Sequence, residues 1–209
     1  MKAYIFDLDG TIFESMDVWN QVDTAFFEKR NLSHPQDYTD AILAMHFEEA
    51  AAYTISRFNL DETVEDVVKE WLSLAAEAYN HVQLKPYAKE YITSLAAKGH
   101  KLAVATSLST ELLEPTLRKH GLYDMFHVIC TAKDVGCGKA KPDIFLLTAK
   151  KLGVEPEECL LFDDILAAIK SAKSIGMKVC AVYEKTSQGD WDAMKALADY
   201  AIVDFSEML

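Results

Sequence analysis

Residues 3–11, Ala3-Tyr4-Ile5-Phe6-Asp7-Leu8-Asp9-Gly10-Thr11, decide how this chain is read. The apolar run over residues 3–8, with its Tyr, Ile and Phe, predicts a β-strand, and Gly10 predicts the turn that stops it. Because the run is apolar on both faces, it suits a central strand covered by helices on each side. Asp7 and Asp9 stand two apart at the end of that strand, so a break into a turn there lets both carboxylates converge on one site. By itself, Asp-x-Asp-Gly also fits a calcium loop or a solvated turn.

Moving outward, the pattern changes to a helical one over residues 15–84. Val18, Val22, Ala25 and Phe26 share one stripe; Phe47, Ala51, Ile55 and Phe58 share another; Val64, Val67, Val68, Trp71, Ala75 and Ala78 form a third. These stripes predict a small helical bundle inserted after the first strand. Pro35 and the polar residues 33–40 divide it, and Lys85-Pro86 marks its exit. From Tyr87 onward helix alternates with short buried strand, the strands falling near residues 102–105, 127–130, 160–162, 179–182 and 201–203. Gly99, Gly121, Gly153 and Gly176 stand where helices end. Such alternation with short connections predicts an α/β protein with a parallel, doubly wound sheet.

Ligands of a doubly wound sheet bind at the carboxyl ends of the strands, and four segments place reactive groups there. Asp7 and Asp9 are the first. The second is Thr106-Ser107, hydroxyls between a strand and a helix where phosphate oxygens can be held, although Thr106 alone fits a helix cap equally well. A third is the loop Gly136-Cys137-Gly138-Lys139-Ala140-Lys141-Pro142-Asp143, which presents lysine ahead of a helix. The fourth is Asp163-Asp164 at the end of the run Leu160-Leu161-Phe162; adjacent acids at a strand end are costly without a cation, so a metal is their natural partner.

Composition narrows the partners. The 209 residues are half hydrophobic and about a quarter charged, the balance of an ordinary folded protein. A formal net charge of -12 weighs against nucleic acid, and requires any phosphate site to find local positive charge in a metal, a lysine or a helix N-terminus. Cys130, Cys137, Cys159 and Cys180 show no C-x-x-C spacing, and three lie in apolar runs, so they read as small core residues. No secretory leader or membrane-length apolar run is evident, and the expected location is the cytoplasm, with no membrane partner.

In this order and at these strand ends, the four segments resemble the four motifs of the haloacid dehalogenase superfamily, in particular its phosphatase and β-phosphoglucomutase-like subgroup. The resemblance extends over nearly the whole chain, with the insertion similar to that family's small α-helical cap. It implies a Rossmann-like core of residues 1–14 and 85–209 and a cap of residues 15–84. It implies Asp7 as nucleophile and Asp9 as general acid/base, a residue that dehalogenases of the superfamily lack. Thr106 and Lys139 become the groups that neutralise the transferring oxygens, with Lys141 the runner-up lysine, and Gly10, Thr11 and Ser107 are expected beside the phosphate. Asp7, Asp9, Asp163 and Asp164 become the residues around Mg2+. Three departures stand out: Asp163 where Glu is common, Ile165 where Ser or Thr is common, and Tyr87 where Gly is common. Glu14, Trp19, His46 and Phe47 are the cap residues expected to face the site. The implied activity is hydrolysis of a small phosphorylated metabolite through an aspartyl-phosphate; a phosphomutase of the β-phosphoglucomutase type and a non-catalytic binding protein are the alternatives. Oligomeric state is left open, a monomer being one option.

Overall fold

The computed structural model describes residues 1–35 and 37–209. The chain opens with β1 (Ala3–Phe6), turns into β2 (Phe13–Glu14), and passes through four helices: α1 (Met16–Lys29), α2 (Tyr38–Ile42), α3 (Phe47–Phe58) and α4 (Val64–Tyr79). It returns through β3 (Gln83–Leu84) to an alternating series of α5 (Ala88–Ala97), β4 (Lys101–Thr106), α6 (Thr110–His120), β5 (Val128–Thr131), α7 (Ala132–Val135) and α8 (Asp143–Leu152). The last elements are β6 (Cys159–Asp163), α9 (Leu166–Ser174), β7 (Lys178–Val182), α10 (Trp191–Leu197) and β8 (Tyr200–Ile202).

Six strands form one parallel sheet in the order β5-β4-β1-β6-β7-β8. The strand order reverses at β1, which pairs with β4 on one side and β6 on the other, with Phe6 opposite both Val104 and Phe162. Alternation along each strand sends side chains into two cores. Phe6, Val104, Phe162, Cys180 and Ile202 pack with Tyr91 of α5, Leu113 and Leu117 of α6, and Phe205, and the Phe6 and Phe162 rings stack at 4.7 Å. Ile5, Ala103, Leu161, Val179 and Ala181 face α8, α9 and α10 through Phe145, Ile169 and Met194. The doubly wound sheet expected from the alternation is therefore present, and Gly99, Gly121, Gly153 and Gly176 all take positive φ at helix ends.

The expected stripes turn inward but are only partly buried: Val18, Val22 and Phe26 of α1, Ala51 of α3, and Val67, Trp71 and Ala75 of α4 are buried, the other stripe residues are half-buried, and Phe27, Ala50, Thr54 and, one turn beyond Ala75, Tyr79 are buried in addition. This apolar interior is continuous with the α5/α6 side of the sheet. The expectation of an entirely helical stretch over residues 15–84 needs correction at its end. There β3 pairs antiparallel with β2, Phe13 opposite Leu84 and Glu14 opposite Gln83, and the Lys85 N–H donates to the Ile12 carbonyl at 2.8 Å. The two linkers thus form one ribbon, and strands of two residues are too short to show a period of two. Among the described residues, no helix is long and apolar enough to cross a membrane.

Candidate active site

Strand β1 ends at Phe6, two residues short of the expected boundary, because the chain wraps around a single carbonyl. The N–H groups of Thr11, Ile12 and Phe13 all donate to the Leu8 oxygen, at 3.1, 2.8 and 2.8 Å. Only the Asp7 N–H continues the ladder, donating to the Phe162 carbonyl at 3.0 Å. Gly10 has φ +72°, and a Cβ there would collide with the Asp164 carboxylate. The turn thus lifts Asp7 and Asp9 off the strand end and leaves room for Asp164, which arrives from the end of the neighbouring β6.

Asp7, Asp163 and Asp164 each contribute one carboxylate oxygen to a group within 4.8 Å of one another. Lys139 enters from the loop before α8, its side chain buried, with Nζ 2.7 Å from Asp7 Oδ2 and 2.9 Å from Asp163 Oδ2. Lys141 is exposed, so of the two loop lysines it is Lys139 that reaches the acids. Burial works to lower the Lys139 ammonium, but attraction to Asp163, Asp7 and Asp164 overrides it and raises the group above its ordinary value. Three buried acids share one buried lysine, and burial followed by repulsion from Asp163 and Asp7 drives Asp164 well above the usual carboxylate range. A cation relieves that repulsion.

The oxygens differ in what they have left to offer. Asp163 accepts from Lys139 through Oδ2 and from the Ile165 N–H at 3.0 Å through Oδ1. That backbone donor does not depend on the side chain at 165, so Ile165 serves where a hydroxyl was expected. Asp164 Oδ1 accepts from the Thr11 hydroxyl at 2.9 Å. Asp7 Oδ1 is buried with no hydrogen-bond partner among the described residues. An all-oxygen donor set with such an oxygen free fits a hard divalent cation such as Mg2+.

Asp9 is held by a different set of groups. Its Oδ1 accepts from Ser15 Oγ at 2.6 Å and from Tyr79 OH at 2.6 Å, and its Oδ2 from Trp19 Nε1 at 3.1 Å. Burial, with help from the Asp7 charge, pushes this carboxyl up to about 6 even though the three donors pull it down. A carboxyl poised there can both give and take a proton near neutrality. Ser15 and Tyr79 were not singled out from the sequence. The continuation of the Val67, Trp71, Ala75 stripe by one turn to 79 was the signal available for Tyr79.

Asp7, Asp9, Thr106, Ser107, Lys139 and Asp164 line the floor of one cavity, whose ceiling comes from the helical insertion. Thr106 Oγ accepts from the Leu108 N–H at 3.2 Å, leaving its proton free to donate, and Ser107 Oγ is buried without a partner among the described residues. Of the other residues expected beside phosphate, Gly10 makes room for Asp164 and Thr11 hydrogen-bonds it, and neither lines the cavity. Trp19, His46 and Phe47 face the cavity as expected, whereas Glu14 lies exposed on the ribbon and does not. The loop carrying Lys139 meets the insertion directly, since a Cβ on Gly138 would strike the Ala44 carbonyl. The cavity of about 140 Å³ has the size that admits a small molecule.

The haloacid dehalogenase-like hydrolase family matches residues 4–182. Protein CbbY of Rhodobacter capsulatus is 30% identical over 99% of this chain and 94% of its own length. Hexitol phosphatase A of Escherichia coli is 28% identical over 87% of this chain and 82% of its own. In three dimensions the fold is shared with a β-phosphoglucomutase from Clostridium difficile at a TM-score of 0.84 and 18% identity, over 100% of this chain and 93% of that one.

Proposed function

The chain belongs to the haloacid dehalogenase-like hydrolase family, and we propose that it is a magnesium-dependent phosphatase that hydrolyses a small phosphomonoester through a phosphorylated Asp7. The observation that carries this reading is the state of the Asp7 carboxylate: Lys139 holds one oxygen, and the other is buried on the floor of the cavity with no partner among the described residues. Relatives named as phosphatases support it.

In the first half-reaction, the Asp7 carboxylate forms a bond to phosphorus as the bond from phosphorus to the ester oxygen breaks, and Asp9 gives its proton to that departing oxygen. In the second, Asp9 takes a proton from water, the resulting hydroxide bonds to phosphorus, and the Asp7 carboxylate departs with the electron pair. Lys139, Thr106 and Ser107 stabilise charge on the oxygens of the transferring group. Asp7, Asp164 and the Asp9 backbone carbonyl would hold the magnesium ion, with Asp163 orienting Lys139 beside them. When bound, the ion supplies the positive charge that lets an anionic carboxylate approach an anionic phosphate. Residues 15–84 act as a cap over a core of residues 1–14 and 85–209, and the ribbon of β2 and β3 is the tether about which it opens. The four cysteines are free, which supports a reducing compartment such as the cytoplasm.

Inorganic phosphate release from a panel of phosphorylated metabolites, with and without Mg2+, tests this reading. Release that needs magnesium and vanishes in Asp7→Asn, with the melting curve of that variant still cooperative, is expected. Undiminished turnover by Asp7→Asn would refute the nucleophile assignment. Interconversion of sugar phosphates with little net release would instead select the phosphomutase alternative.

A further inference from the structure

Among the polar groups of the ceiling that the proposed chemistry does not use, two are buried and make no hydrogen bond with the described residues. Asp23 lies on the buried face of α1 between Val22 and Phe26, is 7% exposed, and lines the cavity. Among the described residues nothing donates a hydrogen bond to its carboxylate; the nearest cationic group is the His34 ring, with Nε2 at 3.7 Å from Oδ2. Burial pushes the carboxyl up to about 7. Trp71 of α4, 4% exposed, lines the same cavity, and its indole N–H is buried with no acceptor among the described residues. A buried carboxylate without a hydrogen-bond donor and a buried N–H without an acceptor each cost stability, so their presence beside Trp19, Val22, Phe47 and Ala50 needs a reason.

Charge narrows the reason further. Lys139 on the floor is the only lysine or arginine among the described residues lining the cavity. His46 in the ceiling is hydrogen-bonded through Nδ1 to Glu48 at 2.9 Å. Arg30 is bound to Glu62 and Glu70, and Arg57 to Asp37 and Tyr53, away from the cavity. A second phosphate or a carboxylate at the far end of a substrate would therefore meet Asp23 with no lysine or arginine among the described lining residues to offset it. An ammonium group could pair with Asp23 but has no lone pair for the Trp71 N–H. A hydroxyl group does both: it donates to the carboxylate and accepts from the indole.

We propose that Asp23 and the Trp71 indole N–H form the recognition point for the end of the substrate remote from phosphorus, and that the substrate is a phosphomonoester with an uncharged, hydroxyl-bearing remainder rather than a bisphosphate or a phosphorylated acid. The inference rests on the phosphatase reading for the orientation of the substrate, and gives the ceiling the task of selecting it. Desolvated polar groups are strong selectors because an analogue that leaves them unpaired forfeits the whole interaction.

Kinetics with Mg2+ on sorbitol 6-phosphate, ribose 5-phosphate, fructose 1,6-bisphosphate, phosphoglycolate and phenyl phosphate test the proposal, in the unaltered protein, Asp23→Leu and Trp71→Phe. The neutral hydroxylated esters are expected to exceed the bisphosphate and phosphoglycolate in kcat/KM. In each variant, the ratio of kcat/KM for the better hydroxylated ester to that for phenyl phosphate is expected to fall about 10- to 100-fold. Asp23→Leu is also expected to melt no lower than the unaltered protein, because it removes an unpaired buried carboxylate; a purely structural Asp23 would lower the melting temperature. Unchanged ratios in both variants, or a bisphosphate preferred over the neutral esters, would overturn the proposal. Should no ester release phosphate, the phosphatase reading fails, and binding of the same five compounds to the unaltered protein by calorimetry decides this one separately, on the same order of preference.

Discussion

On the floor of the cavity Lys139 sits between Asp7 and Asp163, Thr11 donates to Asp164, and the Ile165 N–H closes the remaining oxygen of Asp163. In the ceiling, the Trp71 indole N–H has no acceptor among the described residues, and the charged partner shown for Asp23 is the His34 ring at 3.7 Å, both groups lying among aromatic and aliphatic side chains. The floor is fixed by backbone: its acids leave the ends of adjacent strands whose register is set by ladder hydrogen bonds, so their spacing is the spacing of the sheet. The ceiling is fixed by helix packing, which tolerates changes of side chain more easily, and so it is the part free to differ from one substrate to another. Asp9 belongs to both, carried by the floor and hydrogen-bonded by Ser15, Trp19 and Tyr79 from the ribbon and the insertion.

The sharpest way to break this division is at Asp9. Asp9→Asn is expected to lower kcat by about 10²–10⁴, and to remove the limb of the pH–rate profile that lies near 6 in the unaltered protein. A profile unchanged in shape would show that another group moves the proton.

Next in size is the floor's own stability. Lys139→Met leaves Asp7 and Asp163 buried without their cation and is expected to cost about 3–5 kcal/mol in urea unfolding. Added Mg2+ is expected to return part of it, because the acids that repel one another without the lysine are those that hold the ion. Full stability without magnesium would contradict the charge balance described for the floor.

The ceiling makes the opposite demand, and pH exposes it. The Asp23 carboxyl ordinarily titrates at 3.8 and is pushed up to about 7 by burial. The folded state thus binds this proton more tightly than the unfolded chain does. Its contribution to stability is complete below about pH 4 and is lost as pH rises through about 7. His34 and Tyr38 face it, and burial lowers His34, which acts in the other direction. The readout is therefore the difference between the unaltered protein and Asp23→Asn. A divergence on the order of 1–4 kcal/mol between pH 4 and 8 is expected from unfolding curves; parallel curves would mean that Asp23 does not titrate in this range.

The smallest effect lies outside both regions. Tyr87, exposed at the start of α5, has φ +61°, a conformation that penalises any residue with a Cβ. Tyr87→Gly relieves that cost but gains entropy in the unfolded chain, and a net gain of about 0.5–1 kcal/mol with unchanged kinetics is expected. A change in turnover would show that the exit of the insertion is coupled to the site.

This same residue shows how far the sequence could be read. Tyr87 stood out as a departure from a common glycine, but only the backbone angle gave the reason. Asp7, Asp9, Thr106, Lys139 and Asp164 were legible because each follows a buried strand or precedes a helix, and a parallel sheet gathers such ends on one edge. Tyr79, Ser15, Asp23 and the Trp71 N–H were not singled out. Tyr79 and Trp71 sit on a stripe that serves packing equally well, and an acid on a helix is ordinarily a solvated one. The pairing of β2 with β3 was hidden for a related reason, since two-residue strands carry no period.

By itself the order of residues determined the doubly wound sheet, the helical insertion after the first strand, which acids stand at the strand ends and which loop presents lysine to them, because hydrophobic period and turn chemistry act over a few neighbours along the chain. The three-dimensional fold decided which oxygens are already bound and which are free, that Gly10 and Thr11 both meet Asp164, and that an acid and an indole N–H from different helices share one wall of a cavity. Those outcomes depend on burial and on distances between residues far apart in the chain, and no local pattern contains either.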